Sequence, residues 1–248
     1  MQRWREKMTD YNVKEKIVEH YDLVSPYYHS LWGEHLHHGF WVTGKETKEE
    51  AQLALTKHLA QTTGITISPV QVEMAQKAAQ NAGVNSRFVL MDAEEMNFTE
   101  PFDVIWSIES ISHYKNRRKF FEDAAKLLAP HGIIAITDWF KKENLSKTER
   151  QKYISPIEKG MMVELNTMKD YISTLEANKV KIFTTEDISQ NVAKTWDITL
   201  DIIKSKALWE LALRYGEQFI SFFRAFQAMK SGFSSGNLVY GLIVGKKL

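Results

Sequence analysis

Short apolar runs alternate with amphipathic stretches from residue 63 onward. Four runs rich in β-branched and other apolar residues predict strands, in the order TGITIS, RFVLMDA, FDVIWSIES and GIIAITDWF. Two intervening segments, VQVEMAQKAAQNAG and RRKFFEDAAKLLAPHG, place apolar residues at helical spacing, and we expect the second helix to end at Pro130. Because strands and helices alternate, the sequence predicts a parallel, doubly wound α/β sheet whose very apolar fourth strand is buried on both faces.

The pattern changes on either side of this core. Residues 1–60 mix charged and aromatic positions and predict an amino-terminal helical cover, with one helix near residues 13–21. Residues 141–230 are mostly helical in pattern, with one strand at VKIFTTEDIS, and the chain closes with the strand-like run NLVYGLIVGKK. We therefore expect a single domain with a cover (1–60), a core (61–140), a helical lid (141–230) and a final strand (231–248).

Composition narrows the function classes. The 248 residues include 32 Lys and Arg against 31 Asp and Glu, so the net charge of +1 provides no basic surface for nucleic acid. The absence of cysteine excludes disulfides, thiolate nucleophiles and cysteine-ligated zinc. No apolar run approaches the roughly 20 residues of a membrane span, and the amino terminus lacks a signal-like apolar stretch. We expect a cytoplasmic protein with a small-molecule partner, and the sequence does not indicate an oligomeric state.

Polar side chains follow the third and fourth predicted strands. Ser107 and Glu109 end the run FDVIWSIES, His113 comes four residues after Glu109, and Asp138 lies near the end of GIIAITDWF. Because ligands bind at the carboxyl ends of the strands in open α/β sheets, His113 and Asp138 can meet there, where an imidazole suits general-base chemistry at neutral pH. The alternative is a surface His113 without a partner and an Asp138 that caps a loop.

Five stretches together resemble a known family: HYDLVSPYYHSLWGEHLHHGFW, TGITISPVQVEMA, MDAEEM, FDVIWSIESISHY and ITDW. They are similar to the small-molecule branch of the class I S-adenosylmethionine (SAM) methyltransferases, and most similar to γ-tocopherol methyltransferase-like enzymes. The resemblance spans nearly the whole chain. It implies a Rossmann-like methyltransferase sheet, SAM as the cofactor, and an enzyme that methylates carbon, oxygen or nitrogen of a small, largely apolar or aromatic acceptor.

The resemblance also implies a set of cofactor-binding positions. Asp92 and Ala93 match a turn that lies near the adenine amine in the family, and a carboxylate suits this N–H donor. The alternative role of Asp92 is an N-cap for the segment EEMNF. An aromatic face attracts the sulfonium of SAM, a role that we assign to Tyr21. We expect these residues to contact SAM: Tyr21, Thr66, Asp92, Ala93, Ser107 and Glu109.

A further set of positions faces the acceptor if the resemblance holds. In related sugar methyltransferases a His and Asp pair is implicated in deprotonating the acceptor, which implies that His113 is the catalytic base and that Asp138 orients it. The expected acceptor wall consists of Trp32, His38, Trp139, Trp196 and Phe222. Core packing is the alternative role of Trp32 and Trp139. His35, His37 and His38 suggest a metal at first sight, but HLHHGF matches a family signature, and we expect no metal.

The sequence departs from the family at one point, the glycine-rich loop, and this departure matters more for cofactor binding than the matching stretches do. In the family a strand and a glycine-rich loop of the type VLDVGCGxGG precede TGITISPVQ, whereas here HLAQ runs directly into TTGITIS and none of the twelve glycines forms a GxG. The missing part is about one βα unit, on the scale of the roughly 30 residues of a βαβ element. Its loss removes the backbone cradle of the cofactor together with a central strand of the sheet.

Three explanations of this departure stay open. The sequence derives from a longer chain from which the segment is omitted, or it is a deletion that pairs its strands anew, or it is a relative that has abandoned SAM. The third explanation provides the alternative function. A methyltransferase-fold protein that has lost SAM binding would act as a cyclase, an isomerase or a non-catalytic binding protein.

Overall fold

The structure is a computed structural model that describes residues 14–19, 21–22, 44–47, 62–82, 85–203 and 216–248. Its contacts divide the chain into two compact units, one formed by residues 1–36 and 47–96 and the other by residues 37–46 and 97–248. We describe each unit by itself. Of the positions singled out in the sequence, Trp32 and His38 lie outside the described residues, and the side chain of Phe222 does too.

The first unit contains two parallel strands and the helix between them. A helix, α1, covers residues 14–19. Strand β1 (Thr63–Thr66) pairs in parallel with β2 (Arg87–Leu90), and helix α2 (Pro69–Ala82) connects them. The hydroxyl of Ser68 accepts a hydrogen bond from the N–H of Gln71 at 3.1 Å, an N-cap that fixes where α2 begins. This βαβ arrangement agrees with the alternation of the sequence.

The second unit is built on a four-stranded sheet in the order β3, β4, β6, β5. Its strands are β3 (Phe102–Ile108), β4 (Leu128–Lys141), β5 (Val180–Asp187) and β6 (Leu238–Lys247). Strands β3 and β4 are parallel, whereas β6 runs antiparallel to both β4 and β5. The sheet is therefore mixed and not uniformly parallel as the alternation suggested, because the final strand, β6, lies between β4 and β5 and runs against both.

Strand β4 is the buried centre of this sheet, as its apolar sequence predicts. Residues 136–140 are buried without interruption, which requires cover on both faces. The strand begins earlier than expected, since helix α3 (Arg117–Leu127) ends before Pro130 and the first strand pair joins Phe102 to Leu128. A bulge follows before regular pairing resumes at Ile133, and it holds Pro130, which has no N–H to donate to the ladder.

The described strands form two sheets, which agrees with the absence of a glycine-rich strand from the sequence. Strand β1 pairs with β2, and β3 pairs on one side with β4. Within the described ranges no strand pairs with the second edge of β3. Val104 and Trp106 of this strand are 55% and 36% exposed, unusual values for apolar side chains in the interior of an α/β sheet.

Helices follow β4 where the sequence predicts a lid. They are α4 (Lys147–Glu149), a π-helical turn (Arg150–Ile154), α5 (Ser155–Met161), α6 (Met168–Ala177), α7 (Ser189–Val192), α8 (Lys194–Ile203) and α9 (Glu217–Ser234). Gly160 brings α5 against α9 so closely that a Cβ there would lie 2.4 Å from the carbonyl oxygen of Ser221. In the part of the chain that the structure describes, no helix is long and apolar enough to cross a membrane.

Candidate active site

Asp138 is the most deeply buried acid at the carboxyl end of the sheet. It lies near the end of β4 and has no solvent exposure. Its Oδ1 accepts a hydrogen bond from the N–H of Trp139 at 2.8 Å, and its Oδ2 accepts from the N–H of Ser112 at 3.0 Å and from the hydroxyl of Tyr171 at 3.1 Å. Burial raises the pKa of Asp138 to about 7, and the charge of Glu109 acts in the same direction. The three hydrogen bonds oppose this rise because they favour the ionised form.

Glu109 stands directly after β3 in a strained backbone conformation. Its φ of 53° lies in the left-handed region, which a non-glycine residue adopts only where its surroundings impose it. The N–H of Glu109 donates to the carbonyl oxygen of Thr137 at 2.8 Å. Its Oε1 accepts from the hydroxyl of Tyr240 at 2.7 Å, and the same hydroxyl lies 3.3 Å from Oγ1 of Thr137. Strands β3, β4 and β6 thus fix this carboxylate together.

His113 lies in a short 3₁₀ turn, Ile111–His113, that follows β3. Its Nδ1 is 3.3 Å from the carbonyl oxygen of Met162, and Asp138 bonds the backbone of the neighbouring Ser112. Among the described residues, the imidazole is not one of the donors to the Asp138 carboxylate. The sequence suggested a direct contact across the cleft, whereas the structure shows that the carboxylate holds the turn that carries the imidazole.

Arg117 secures the same turn from helix α3. Its Nε donates to the carbonyl oxygen of Ile111 at 3.1 Å, and its NH2 group donates to the carbonyl oxygens of Ser112 at 2.9 Å and Glu164 at 2.7 Å. Sequence reasoning missed Arg117, Tyr171 and Tyr240. Both tyrosines stand in apolar patterns that indicate core packing, and an arginine in the polar run KNRRK gives no sign of its target.

Ser107 and Trp139 complete the described group at this edge. The hydroxyl of Ser107 is buried 2.7 Å from that of Ser110, which also accepts a hydrogen bond from Tyr114 at 3.0 Å. Trp139 is 9% exposed and follows Asp138 directly. The second unit therefore gathers Ser107, Glu109, His113, Asp138 and Trp139 at the ends of two neighbouring strands.

The predicted cofactor residues of the first unit surround the ends of β1 and β2. Asp92 caps a 3₁₀ turn, Ala93–Glu95, by accepting the N–H of Glu94 at 2.9 Å, which is the capping role weighed from the sequence. Lys14 of α1 pairs with Asp92 and, at 3.0 Å, with Glu94. Burial lowers the pKa of Lys14, but its hydrogen bonds to these two acids outweigh that effect and the pKa is raised.

The turn at Asp92 fits the adenine end of SAM in its donor and acceptor chemistry. A carboxylate offers about four acceptor positions, and the N–H of Glu94 and the Lys14 ammonium engage one on each oxygen. Asp92 therefore retains acceptor capacity for an amine. The hydroxyl of Thr66 donates to Oε1 of Gln71 at 2.7 Å, and Tyr21 is half-buried.

Trp196 belongs to the helical region and is buried among aromatic side chains. Its ring centroid lies 5.7 Å from that of Phe233 and 6.1 Å from that of Phe226. The sequence suggested an acceptor-binding role for Trp196, and these contacts place its ring among aromatic neighbours of the helical region. Of the side chains that the structure describes, no three His, Cys, Asp or Glu residues could hold a metal ion, and the three histidines of HLHHGF lie outside that part.

Comparison with known proteins finds similarity to methyltransferases. A model of the methyltransferase domain matches residues 44–136. A probable tocopherol O-methyltransferase of rice is 27% identical over 290 positions, which cover 95% of this chain and 78% of the relative. The 27-O-demethylrifamycin SV methyltransferase of Amycolatopsis mediterranei is 28% identical over 270 positions, which cover 94% of this chain and 97% of the relative. The solved structure of mycolic acid cyclopropane synthase CmaA1 with S-adenosylhomocysteine is 17% identical, covers 94% of this chain and 98% of its own, and superimposes with a TM-score of 0.79.

The two sequence alignments contain more positions than this chain has residues. Each relative therefore carries residues within the aligned region that have no counterpart here. These similarities support a class I SAM-dependent methyltransferase of the tocopherol methyltransferase-like branch, although no two of the chain's twelve glycines form a GxG.

Proposed function

We propose that the chain transfers a methyl group from SAM to a small, largely apolar or aromatic acceptor. The observation that carries this proposal is the group Glu109, His113 and Asp138, which lies where two neighbouring strands of the sheet end. Open α/β sheets bind ligands at this edge. The names of two relatives, which describe methylation of tocopherol and of a rifamycin, support an acceptor with a large apolar or ring-bearing framework.

The bound cofactor would supply an electrophilic methyl group on a sulfonium. Displacement at that carbon needs an acceptor held in line and shielded from water, so the protein contributes mainly alignment and exclusion of solvent. We propose that SAM is bound by the six positions expected from the sequence: Tyr21, Thr66, Asp92, Ala93, Ser107 and Glu109. The acceptor wall that we propose consists of Trp32, His38, Trp139, Trp196 and Phe222.

His113 has the chemistry of the base in this proposal. A carbonyl oxygen can only accept, so in the contact with Met162 the proton is on Nδ1, and Nε2 keeps the lone pair that a base needs. Asp138 and Arg117 would act through the backbone of the turn, which limits where the imidazole can point. Such assistance contributes about 10²–10⁴ in rate for a phenol or an alcohol and less for an amine.

The activity is tested by formation of S-adenosylhomocysteine with candidate acceptors. We would incubate the chain with SAM and either γ-tocopherol, a smaller phenol or an amine of similar apolar size. The proposal predicts equimolar methylated product and S-adenosylhomocysteine, fastest with the apolar phenol. Absence of product with every acceptor, from a chain that binds SAM, would contradict the acceptor class.

A second function is favoured by one observation, which is the missing glycine-rich segment. A chain that has lost SAM binding would use the helical region as a cyclase, an isomerase or a non-catalytic binding protein. This alternative predicts a folded chain that binds an apolar ligand with or without SAM present. The methyltransferase proposal predicts that the acceptor binds more tightly once SAM is bound.

The cellular compartment remains part of the proposal. We propose a cytoplasmic location, from the composition of the chain. Two plant relatives carry the word chloroplastic in their names, which is said of those proteins. Fractionation of source cells with an antibody against the chain tests the point, and signal confined to an organelle would contradict it.

A further inference from the structure

Two buried tyrosines each donate to a different acid at the carboxyl edge of the four-stranded sheet. Tyr240 on β6 donates to Oε1 of Glu109 at 2.7 Å, and Tyr171 on α6 donates to Oδ2 of Asp138 at 3.1 Å. Tyr240 has no solvent exposure and Tyr171 has 2%. A buried hydroxyl needs a partner, but a neutral carbonyl would satisfy it equally well. The choice of one acid for each tyrosine is therefore a specific feature of this site.

Tyr240 is anchored before its hydroxyl reaches Glu109. Its N–H donates to the hydroxyl of Ser189 at 2.9 Å, and its carbonyl oxygen accepts the N–H of Ile188 at 2.9 Å. Its neighbour on the sheet is Trp139 of β4. The backbone of Tyr240 is thus fixed by the sheet and by residues 188 and 189, and its ring is fully buried.

Glu109 needs such an anchor because its backbone is strained. A φ of 53° costs a non-glycine residue free energy that the surrounding contacts must supply. The contacts of Glu109 include one through the backbone to the carbonyl oxygen of Thr137 and one through the side chain to the hydroxyl of Tyr240. The carboxylate held by Tyr240 contributes to the raised pKa of Asp138 through its charge.

We propose that Tyr240 is a positioning residue whose hydroxyl holds the Glu109 carboxylate at the carboxyl edge of β3, within electrostatic reach of Asp138. Through this contact the last strand of the chain determines how much negative charge the site carries near neutral pH. The inference deepens the proposed methyl transfer and rests on it for its role in the reaction. The geometry itself is tested without cofactor or acceptor.

Removal of the Tyr240 hydroxyl and removal of the Tyr171 hydroxyl should change the pKa of Asp138 in opposite directions. Glu109 and Tyr171 act on the pKa of Asp138, and Asp138 in turn acts on the pKa of Tyr240. His113 lies on the adjoining turn, and Arg117 acts on the pKa of Tyr171. Loss of the Tyr240 hydroxyl lets Glu109 turn to solvent, which lowers the pKa of Asp138 from about 7 because the neighbouring charge is withdrawn. Loss of the Tyr171 hydroxyl raises that pKa, because the ionised form loses a donor.

The experiment compares Tyr240→Phe with Tyr171→Phe as a matched control. Asp138 is followed by carbon-13 NMR of aspartate-labelled chain between pH 4 and 9, with Asp138→Asn to assign the signal. We expect its titration midpoint to fall in Tyr240→Phe and Glu109→Gln alike, and to rise in Tyr171→Phe. A midpoint in Tyr240→Phe equal to that of the unaltered chain, while Glu109→Gln shifts it, would overturn the proposal. If Tyr240 only packed in the core, Tyr240→Phe would lower stability at every pH and leave the titration midpoint of Asp138 unchanged.

A second measurement covers the case in which Tyr240→Phe does not fold. The unaltered chain and Glu109→Gln are labelled with carbon-13 at the hydroxyl-bearing ring carbon of tyrosine. We expect the Tyr240 signal to move on removal of the Glu109 charge and the Tyr171 signal to stay in place. An unmoved Tyr240 signal would overturn the proposal. Because both measurements use the chain alone, a failure to bind SAM would contradict the proposed function and leave this inference standing.

Discussion

The backbone N–H of Ser112 donates to Oδ2 of Asp138 at 3.0 Å, and this bond joins the carboxyl end of β4 to the turn that carries His113. Asp138 therefore acts on the imidazole through the backbone of the preceding residue. Arg117 holds the same turn from the other side through the carbonyl oxygens of Ile111 and Ser112. The position of the proposed base thus depends on two charged residues, neither of which needs to touch the imidazole.

Asp138→Asn should remove a pH dependence of stability. The pKa of Asp138 is about 7 in the folded chain and near 3.8 when unfolded, so the folded state binds the extra proton between these values. Its stabilising contribution is complete below pH 4 and is lost as the pH rises towards 7. Three pKa units correspond to on the order of 4 kcal/mol. Urea unfolding between pH 4 and 8 should show this decline in the unaltered chain and a flatter profile in Asp138→Asn.

Asp123→Asn is the control for that experiment. The hydrogen bond from Lys119 lowers the pKa of Asp123, so its contribution has the opposite sign and is lost as the pH falls. Asp123 lies near the surface, where such pairs contribute little. An equal decline with pH in the unaltered chain and in Asp138→Asn would show that the carboxyl at 138 has an ordinary pKa.

His113→Ala should slow methyl transfer to a phenol or an alcohol by about 10²–10⁴, because the base that removes the proton is lost. The loss should appear in kcat, since the imidazole is not proposed to bind SAM. The matched control is His131→Asn, which alters an exposed histidine with a φ of 66° that asparagine tolerates. Rates of His113→Ala within twofold of the unaltered chain would contradict the assignment.

Asp92→Ala should weaken SAM binding about tenfold, because the proposed acceptor for the adenine amine is removed together with the cap of the turn at Ala93–Glu95. Lys14→Ala removes the ion pair but leaves the carboxylate, so SAM should bind no more weakly to that variant. Isothermal titration of both variants checks the pair. Equal affinities in Asp92→Ala and the unaltered chain would assign Asp92 to the capping role alone.

Insertion of a glycine-rich βα unit of the type VLDVGCGxGG between Gln61 and Thr62 should tighten SAM binding at least tenfold. Glycines let the backbone approach the cofactor, and the added strand gives the second edge of β3 a partner. A glycine–serine linker of the same length is the control, because it adds residues without a strand. If the variant with the inserted unit binds SAM no more tightly than the variant with the linker, the absence of the glycine-rich unit does not limit the affinity for SAM.

The apolar pattern predicted most of the sheet because each strand carries its own signal. The runs that became β1 to β6 are all rich in β-branched or aromatic residues, and the burial of β4 followed from its lack of polar positions. The start of β4 at Leu128 escaped prediction, because a bulge containing Pro130 carries no strand pattern. The antiparallel direction of β6 depends on how the helical region returns the chain, which no local pattern encodes.

The acids of the site could be predicted from their positions after the strands, but their partners could not. Tyr240 lies 131 residues from Glu109, and Tyr171 lies 33 residues from Asp138. A tyrosine in an apolar run indicates core packing, and its hydroxyl partner depends on how the elements pack. The capping role of Asp92 was visible in the sequence, whereas its pairing with Lys14 joins residues 78 apart.

Isothermal titration of SAM into the folded, monodisperse chain tests the central claim most directly, once intact mass spectrometry has confirmed a chain of 248 residues. The account predicts a saturable heat with one site per chain, which S-adenosylhomocysteine competes away. A folded chain that gives no heat with either compound, while it binds an apolar ligand, would contradict SAM-dependent methyl transfer by this sequence.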